Sequence, residues 1–224
     1  MQQSIIRIPS IFLLVFLFCI SCKTDSNRKL KSEIRLERWT IKGDSSSYVK
    51  GDIQYLETTL FNEKEQTKAV AYYDNNKQLI ATEEKLFDKE SGELIGARYR
   101  DAQDSLLSYY TYKVNSEGLK TLSKAFDAST DDLLRQEKYG YNSRGHMTSK
   151  TVLDARGLPM RKFEFTVDKL GNEMEVRVLN PDDSPILIET FKITKTDGQN
   201  NWIEKWGFVN DQPFSYLARE IKYY

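Results

Sequence analysis

Few side chains of this 224-residue chain are equipped for covalent or metal chemistry. There are 2 cysteines, Cys19 and Cys22, and 1 histidine, His146. One histidine falls short of the usual zinc and Cys-His sites, and a Ser-His-Asp triad would have to use a residue directly after the turn glycine Gly145. A solvated strand-start position is the expectation for His146. No phosphate-cradling loop and no G-x-G-x-x-G fingerprint occurs. Asp plus Glu total 33, enough for a glycosidase-type carboxylate pair. Most of these acids, however, lie in turns or alternate with lysines, as water-facing strands require. No catalytic residue, metal ligand or cofactor is expected, and a glycan-acting enzyme is the weakest reading.

Cys22 is the residue with the clearest chemical future. Arg7 is the only charged side chain before it, the run Ile11 to Ile20 is apolar, and Ser21 is small. This is the pattern of a secretory signal over 1–21. Its apolar run is far shorter than the roughly 20 residues of a membrane-spanning helix. Cys19-Ile20-Ser21-Cys22 resembles the bacterial lipobox, with Cys19 where leucine is usual and Ile20 where a small residue is usual. The resemblance implies that Cys22 becomes the lipidated N-terminus, held by acyl chains that contribute about 0.8 kcal/mol per buried methylene. The other reading is an ordinary signal peptide that leaves Cys22 as a free thiol. Under lipidation no thiol remains for a disulfide, so the domain must stand on packing and hydrogen bonds alone.

Residues 22–33 (CKTDSNRKLKSE) are polar and aperiodic, and read as a tether. The rest, 34–224, shows no composition break and reads as one domain. Lys plus Arg also total 33, so no net field draws in nucleic acid.

The domain is built on a repeat. Gly92, Gly118, Gly145, Gly171 and Gly198 are spaced by 26, 27, 26 and 27 residues, and most follow an Asp or Asn that can cap a turn. Polar clusters stand in the same phase elsewhere. Between them lie stretches of about eight residues rich in Tyr, Phe, Val, Ile, Leu and Thr, such as Leu106 to Val114, which is strand chemistry. Short connections join antiparallel neighbours. The expectation is an all-β, up-and-down meander of about 12 or 13 strands in one long, curved or coiled sheet, or an incomplete barrel. In Ile80 to Phe87, Glu83 and Lys85 share one side while Thr82 and Glu84 share the other, so both faces are expected to be partly solvated.

Phe87-Asp88 to Leu94 and Tyr141-Asn142 to Met147 are similar to the Tyr-Asp repeats of RHS proteins. The ending from Gly198 to Tyr224 resembles the close of repeat lipoproteins from Bacteroidota, with a period longer than the usual unit. The resemblance implies hairpin-built sheet and an envelope address, most simply the outer membrane, with the periplasmic or surface side open. It implies no defined activity.

The final hairpin carries the binding candidates. By the period of two, Trp202, Trp206 and Phe208 fall on one strand face. A two-residue turn at Asp211-Gln212 would set Glu204 opposite Arg219, and a three-residue turn from Asn210 would set Trp206 opposite Tyr216. These aromatics either seal the end of the sheet or form a platform for sugar or peptide. Two functional classes stay open: a lipid-anchored module that binds an envelope protein or polysaccharide, and a carrier that encloses a lipid or other apolar ligand in its curl.

Overall fold

The computed structural model of the chain describes residues 31–42, 49–64 and 66–224. Cys22, the segment 1–21 and all but the last residues of the 22–33 stretch lie outside the described residues. Strands fill most of what remains: β1 (Lys31–Lys42), β2 (Val49–Phe61), β3 (Thr67–Tyr73), β4 (Leu79–Phe87), β5 (Leu94–Asp101), β6 (Leu106–Val114) and β7 (Lys120–Asp127), then β8 (Leu133–Tyr141), β9 (Met147–Asp154), β10 (Pro159–Val167), β11 (Glu173–Leu179), β12 (Pro185–Thr196), β13 (Trp202–Val209) and β14 (Gln212–Tyr223). Each strand pairs antiparallel with its chain neighbours, and β1 pairs with both β2 and β14. The meander is therefore a closed barrel of 14 strands, where an open sheet or incomplete barrel of 12 or 13 was expected.

Closure abolishes the two edges an open meander would expose. At the seam, Ile34 faces Ile221, Arg35 faces Glu220 and Leu36 faces Arg219, and Lys222 bonds Glu33 at 2.8 Å. β1 starts at Lys31, within the stretch read as tether.

The connections follow one design. Asp74, for example, accepts hydrogen bonds from the N–H groups of Asn76 and Gln78 through one carboxylate oxygen, and Asn115, Asn142 and Asp168 repeat the pattern. The fourth residue of each such turn has positive φ: Gly118, Gly145 and Gly171 take it without penalty, whereas Lys77 and Asn200 take it despite their side chains. Gly198, the fifth glycine of the period, does not hold that position; Asn200 does, counted from Asp197.

The two faces are unequal, contrary to the expectation of two partly solvated ones. Glu83 and Lys85 are buried at 8% and 5% exposure, while Glu84 between them is exposed. The inner face is enclosed even where it is charged, and Glu83 and Lys85 pair with each other along the strand. An apolar core of Phe163, Phe165, Val176, Val178, Phe191, Trp202 and Leu217 fills the side under β10 to β14. A smaller one of Val70, Tyr72 and Ala81 lies under β3 and β4. Outside, Glu84, Arg98, Lys113, Lys138, Glu164, Arg177 and Lys192 are all exposed on the strands.

Most exposed large apolar side chains mark one rim, while Leu60, Ile95, Leu170 and Tyr224 lie toward the other. Val49, Leu79, Ile80, Leu106, Leu107, Leu134, Met160, Ile186, Ile188 and Phe214 all stand at or near the starts of even-numbered strands. In an antiparallel meander those starts share one end of the barrel, and β1 begins at the other.

Candidate functional site

The interior between β4 and β9 holds a cavity of about 60 Å³, and its wall is polar and tyrosine-rich. Strand alternation places the groups: Glu83 and Lys85 come from one face of β4, Tyr110 and Tyr112 from β6, Arg135, Glu137 and Tyr139 from β8. Glu83 accepts hydrogen bonds from Tyr72 at 3.0 Å and Tyr112 at 3.3 Å, and pairs with Lys85. Glu137 accepts from Tyr139 and lies 3.4 Å from Arg135. Burial pushes both carboxyls up, but the cations beside them outweigh it: Lys85, then Lys120, for Glu83 and Lys150, then Arg135, for Glu137 hold each below the usual range. Burial, with Glu83 or Glu137 adjacent, raises the Tyr112 and Tyr139 hydroxyls well above theirs. The tyrosines therefore stay protonated and act as donors. Lys120 sits over the rings of Tyr112 and Tyr139, at 4.7 and 4.3 Å.

Two further ion pairs cross the lumen beside the apolar core. Arg38 on β1 grips Glu189 on β12 with one nitrogen 2.9 Å from each carboxylate oxygen, and Ser215 on β14 donates to the same carboxylate. The path between them is open because β13 presents Gly207, where an added Cβ would lie 2.1 Å from the Glu189 oxygen and 2.4 Å from Ser215 Oγ. Space, not backbone angle, demands glycine there. Gly207→Ala is expected to lower stability by about 2 kcal/mol, the scale of overpacking a filled interior, as measured by urea unfolding. The second pair joins Glu173 to Lys205 at 3.4 Å, with Lys205 also over the rings of Phe191 and Trp202.

These carboxylates could suggest a glycosidase pair, yet Glu173 and Glu189 are 2% and 3% exposed. Among the described residues no group of three or more His, Cys, Asp or Glu is placed to hold a metal ion. His146 is half-buried against Gly171 of the neighbouring turn, and its Nδ1 has no hydrogen-bond partner among the described residues, so it is not the solvated residue expected.

The sequence-derived aromatic face divides. Trp202 joins the interior core, under Arg219, whose guanidinium lies 4.0 Å from its ring. Lys205 and Gly207 are also inward, which puts Trp206 and Phe208 on the outer wall. Register irregularities between Ile193 and Thr196 of β12, facing β13, break the simple alternation that put Trp202 with them. Trp206 does face Tyr216, ring centres 5.2 Å apart and near perpendicular. The turn that achieves this is neither of the two expected: Asn210 and Asp211, both at positive φ, form a two-residue turn, followed by an irregularity at Gly207/Phe208. Trp39, missed in the sequence, completes the strip by facing Tyr216 across the seam, and Lys50 covers both rings. A signal for the interior charges was present: Glu83 with Lys85 and Arg135 with Glu137 are two apart on one strand, the spacing of same-face neighbours.

No protein-family model matches the chain, and no curated protein is significantly similar to it. Among solved structures, a porin-like protein from Bacteroides uniformis is similar at 12% identity and a TM-score of 0.50, over 86% of this chain and 98% of that one. A porin-like protein from Bacteroides vulgatus follows at 10% identity and a TM-score of 0.46, over 88% and 99%. The Photorhabdus luminescens Tc holotoxin pore follows at 10% identity and a TM-score of 0.35, over 75% of this chain and 12% of that one. At such identities the likeness is one of fold: the chain is an all-β antiparallel barrel similar in architecture to the Bacteroides uniformis porin-like protein.

Proposed function

We propose that this protein is an envelope binding module, tethered by lipid on Cys22, whose barrel stands in water and presents its apolar rim to a partner protein. The observation that carries this reading is the collar of exposed Leu, Ile, Val, Met and Phe at the starts of the even-numbered strands. Such a patch ringed by polar turns marks an interaction site. The wall between the rims supports water rather than lipid outside. A bilayer-embedded barrel needs an outward apolar band about 25 Å tall, and a lysine or arginine at its midplane costs about 2–4 kcal/mol; here Arg98, Lys138, Arg177 and Lys192 face outward. The eight residues between Cys22 and Lys31 reach at most about 30 Å. They lead to the rim opposite the collar, which leaves the collar turned away from the anchor. Carriage of an apolar cargo is less well supported, since the cavity described is lined by charges and tyrosines.

Membrane fractionation tests the reading. Wild-type protein is expected in the membrane fraction and Cys22→Ser in the aqueous one without detergent; a Cys22→Ser protein that resists alkaline extraction would overturn it in favour of a bilayer-inserted barrel. Envelope crosslinking then reads the collar. Leu107→Asp with Met160→Asp is expected to lose a crosslinked partner that Lys192→Asp retains, and equal yields from both would remove the docking role.

A further inference from the structure

We propose that the interior cavity binds a small oxyanion, a phosphate or sulfate group, with the Lys150 ammonium as its anchor. This goes beyond the envelope reading and does not depend on it.

Lys150 projects from β9 into the lumen and is 7% exposed. Its Nζ donates no hydrogen bond and makes no ion pair within 4 Å among the described residues; it lies 4.6 Å over the ring of Phe163. An ammonium has three donors to satisfy and a large desolvation cost when buried. The other buried charges nearby are provided for. Glu83 has Lys85, Tyr72 and Tyr112, and Glu137 has Tyr139 and Arg135 in contact, with Lys150 acting on it from beyond ion-pair distance. Lys150 alone faces the cavity without an acceptor.

The cavity supplies the rest of an anion site. Three cations, Lys120, Arg135 and Lys150, line it against two carboxylates, Glu83 and Glu137, and Lys85 adds a further positive charge behind Glu83. The balance is positive, and the hydroxyls of Tyr112 and Tyr139 are spent on Glu83 and Glu137, which leaves the cations to meet the anion. At about 60 Å³ it exceeds several times the roughly 10–15 Å³ that one enclosed water needs, which leaves room for a tetrahedral anion. Burial lowers the Lys150 ammonium and Glu137 raises it, with lowering the net direction. A bound anion offsets that cost by supplying the direct acceptor that Lys150 lacks.

The test uses the purified full-length chain in detergent micelles, in buffer free of phosphate and sulfate. Inorganic phosphate, sulfate and glycerol 3-phosphate are titrated by calorimetry and by thermal melting. The wild type is expected to bind one anion per barrel and to melt several degrees higher with millimolar anion. Lys150→Met is expected to bind at least tenfold more weakly and to lose the rise in melting temperature that anion gives the wild type. A lysine that merely packs would leave the anion-dependent rise intact in Lys150→Met. Lys192→Met, on the outer wall, is expected to bind as the wild type does. Tighter binding of glycerol 3-phosphate than of phosphate assigns the site to a headgroup-like ligand, and the reverse to a free anion. A wild-type melt unchanged by all three anions overturns the proposal, whatever the variants do, as does undiminished binding by Lys150→Met.

Discussion

Arg38→Ala is expected to destabilise the barrel by about 3–5 kcal/mol, the range for removing one member of a buried ion pair. The magnitude comes from what is left behind. Glu189 keeps only 3% side-chain exposure, so its carboxylate loses a two-oxygen grip without gaining water. Ser215 remains as a donor, but one neutral hydroxyl does not replace a guanidinium. The position compounds the loss, because Arg38 belongs to β1 and Glu189 to β12, with β14 and β13 between them. The pair spans the seam that closes the barrel. Urea unfolding monitored by tryptophan fluorescence measures the effect, and Arg38→Ala combined with Glu189→Gln should recover part of it by removing the orphaned charge. A loss below about 1 kcal/mol for Arg38→Ala would place this pair among ordinary surface bridges.

The second large effect is one of pH. Burial lifts the Glu173 carboxyl from 4.5 to about 7, against the opposing pull of Lys205. One of its oxygens faces Lys205 while Oε1 has no hydrogen-bond partner among the described residues. The folded barrel thus keeps a proton on Glu173 up to about pH 7, whereas the unfolded chain releases it near 4.5. This contribution to stability is complete below pH 4.5 and is lost as pH rises through 7. At about 1.4 kcal/mol per pH unit, the loss comes to about 3 kcal/mol. Glu83 and Glu137 are held low, so their contributions run the opposite way and are lost as pH falls. A single melting curve against pH would mix the two, and Glu173→Gln separates them. The variant mimics the protonated acid at every pH, so it is expected to gain about 3 kcal/mol on the wild type between pH 4 and pH 8. Parallel curves would mean that Glu173 ionises freely in the folded barrel.

The strands and turns were legible because they are local. An Asp or Asn at the head of a turn bonds to N–H groups two and four residues on, so Asp74 and Asn142 announce their turns within five residues of sequence. The period of the glycines carried the hairpin repeat for the same reason. Even there a substitution could mislead, as when Gly198 kept the period while Asn200 held the left-handed position. Trp206 against Tyr216 was legible as one of two registers, and the loop that realised it depended on an irregularity no residue type announces.

By itself, then, the amino-acid order determined an antiparallel meander of hairpins, with its turns and most of its strand limits, since each rests on contacts within one or two dozen residues. Only the tertiary structure decided that β1 meets β14. That contact joins residues nearly 190 positions apart, and nothing periodic in β1 points to it. Closure is also what turns a face of mixed charge into an interior. Glu83 with Lys85 and Arg135 with Glu137 look in sequence like the wet side of a sheet, because a charge next but one to its opposite suits water as well as it suits a partner, and Lys150, Glu173 and Lys205 stand as lone charges that water would equally suit. The barrel removes the water, and what remains is a set of paired charges and one lysine without an acceptor.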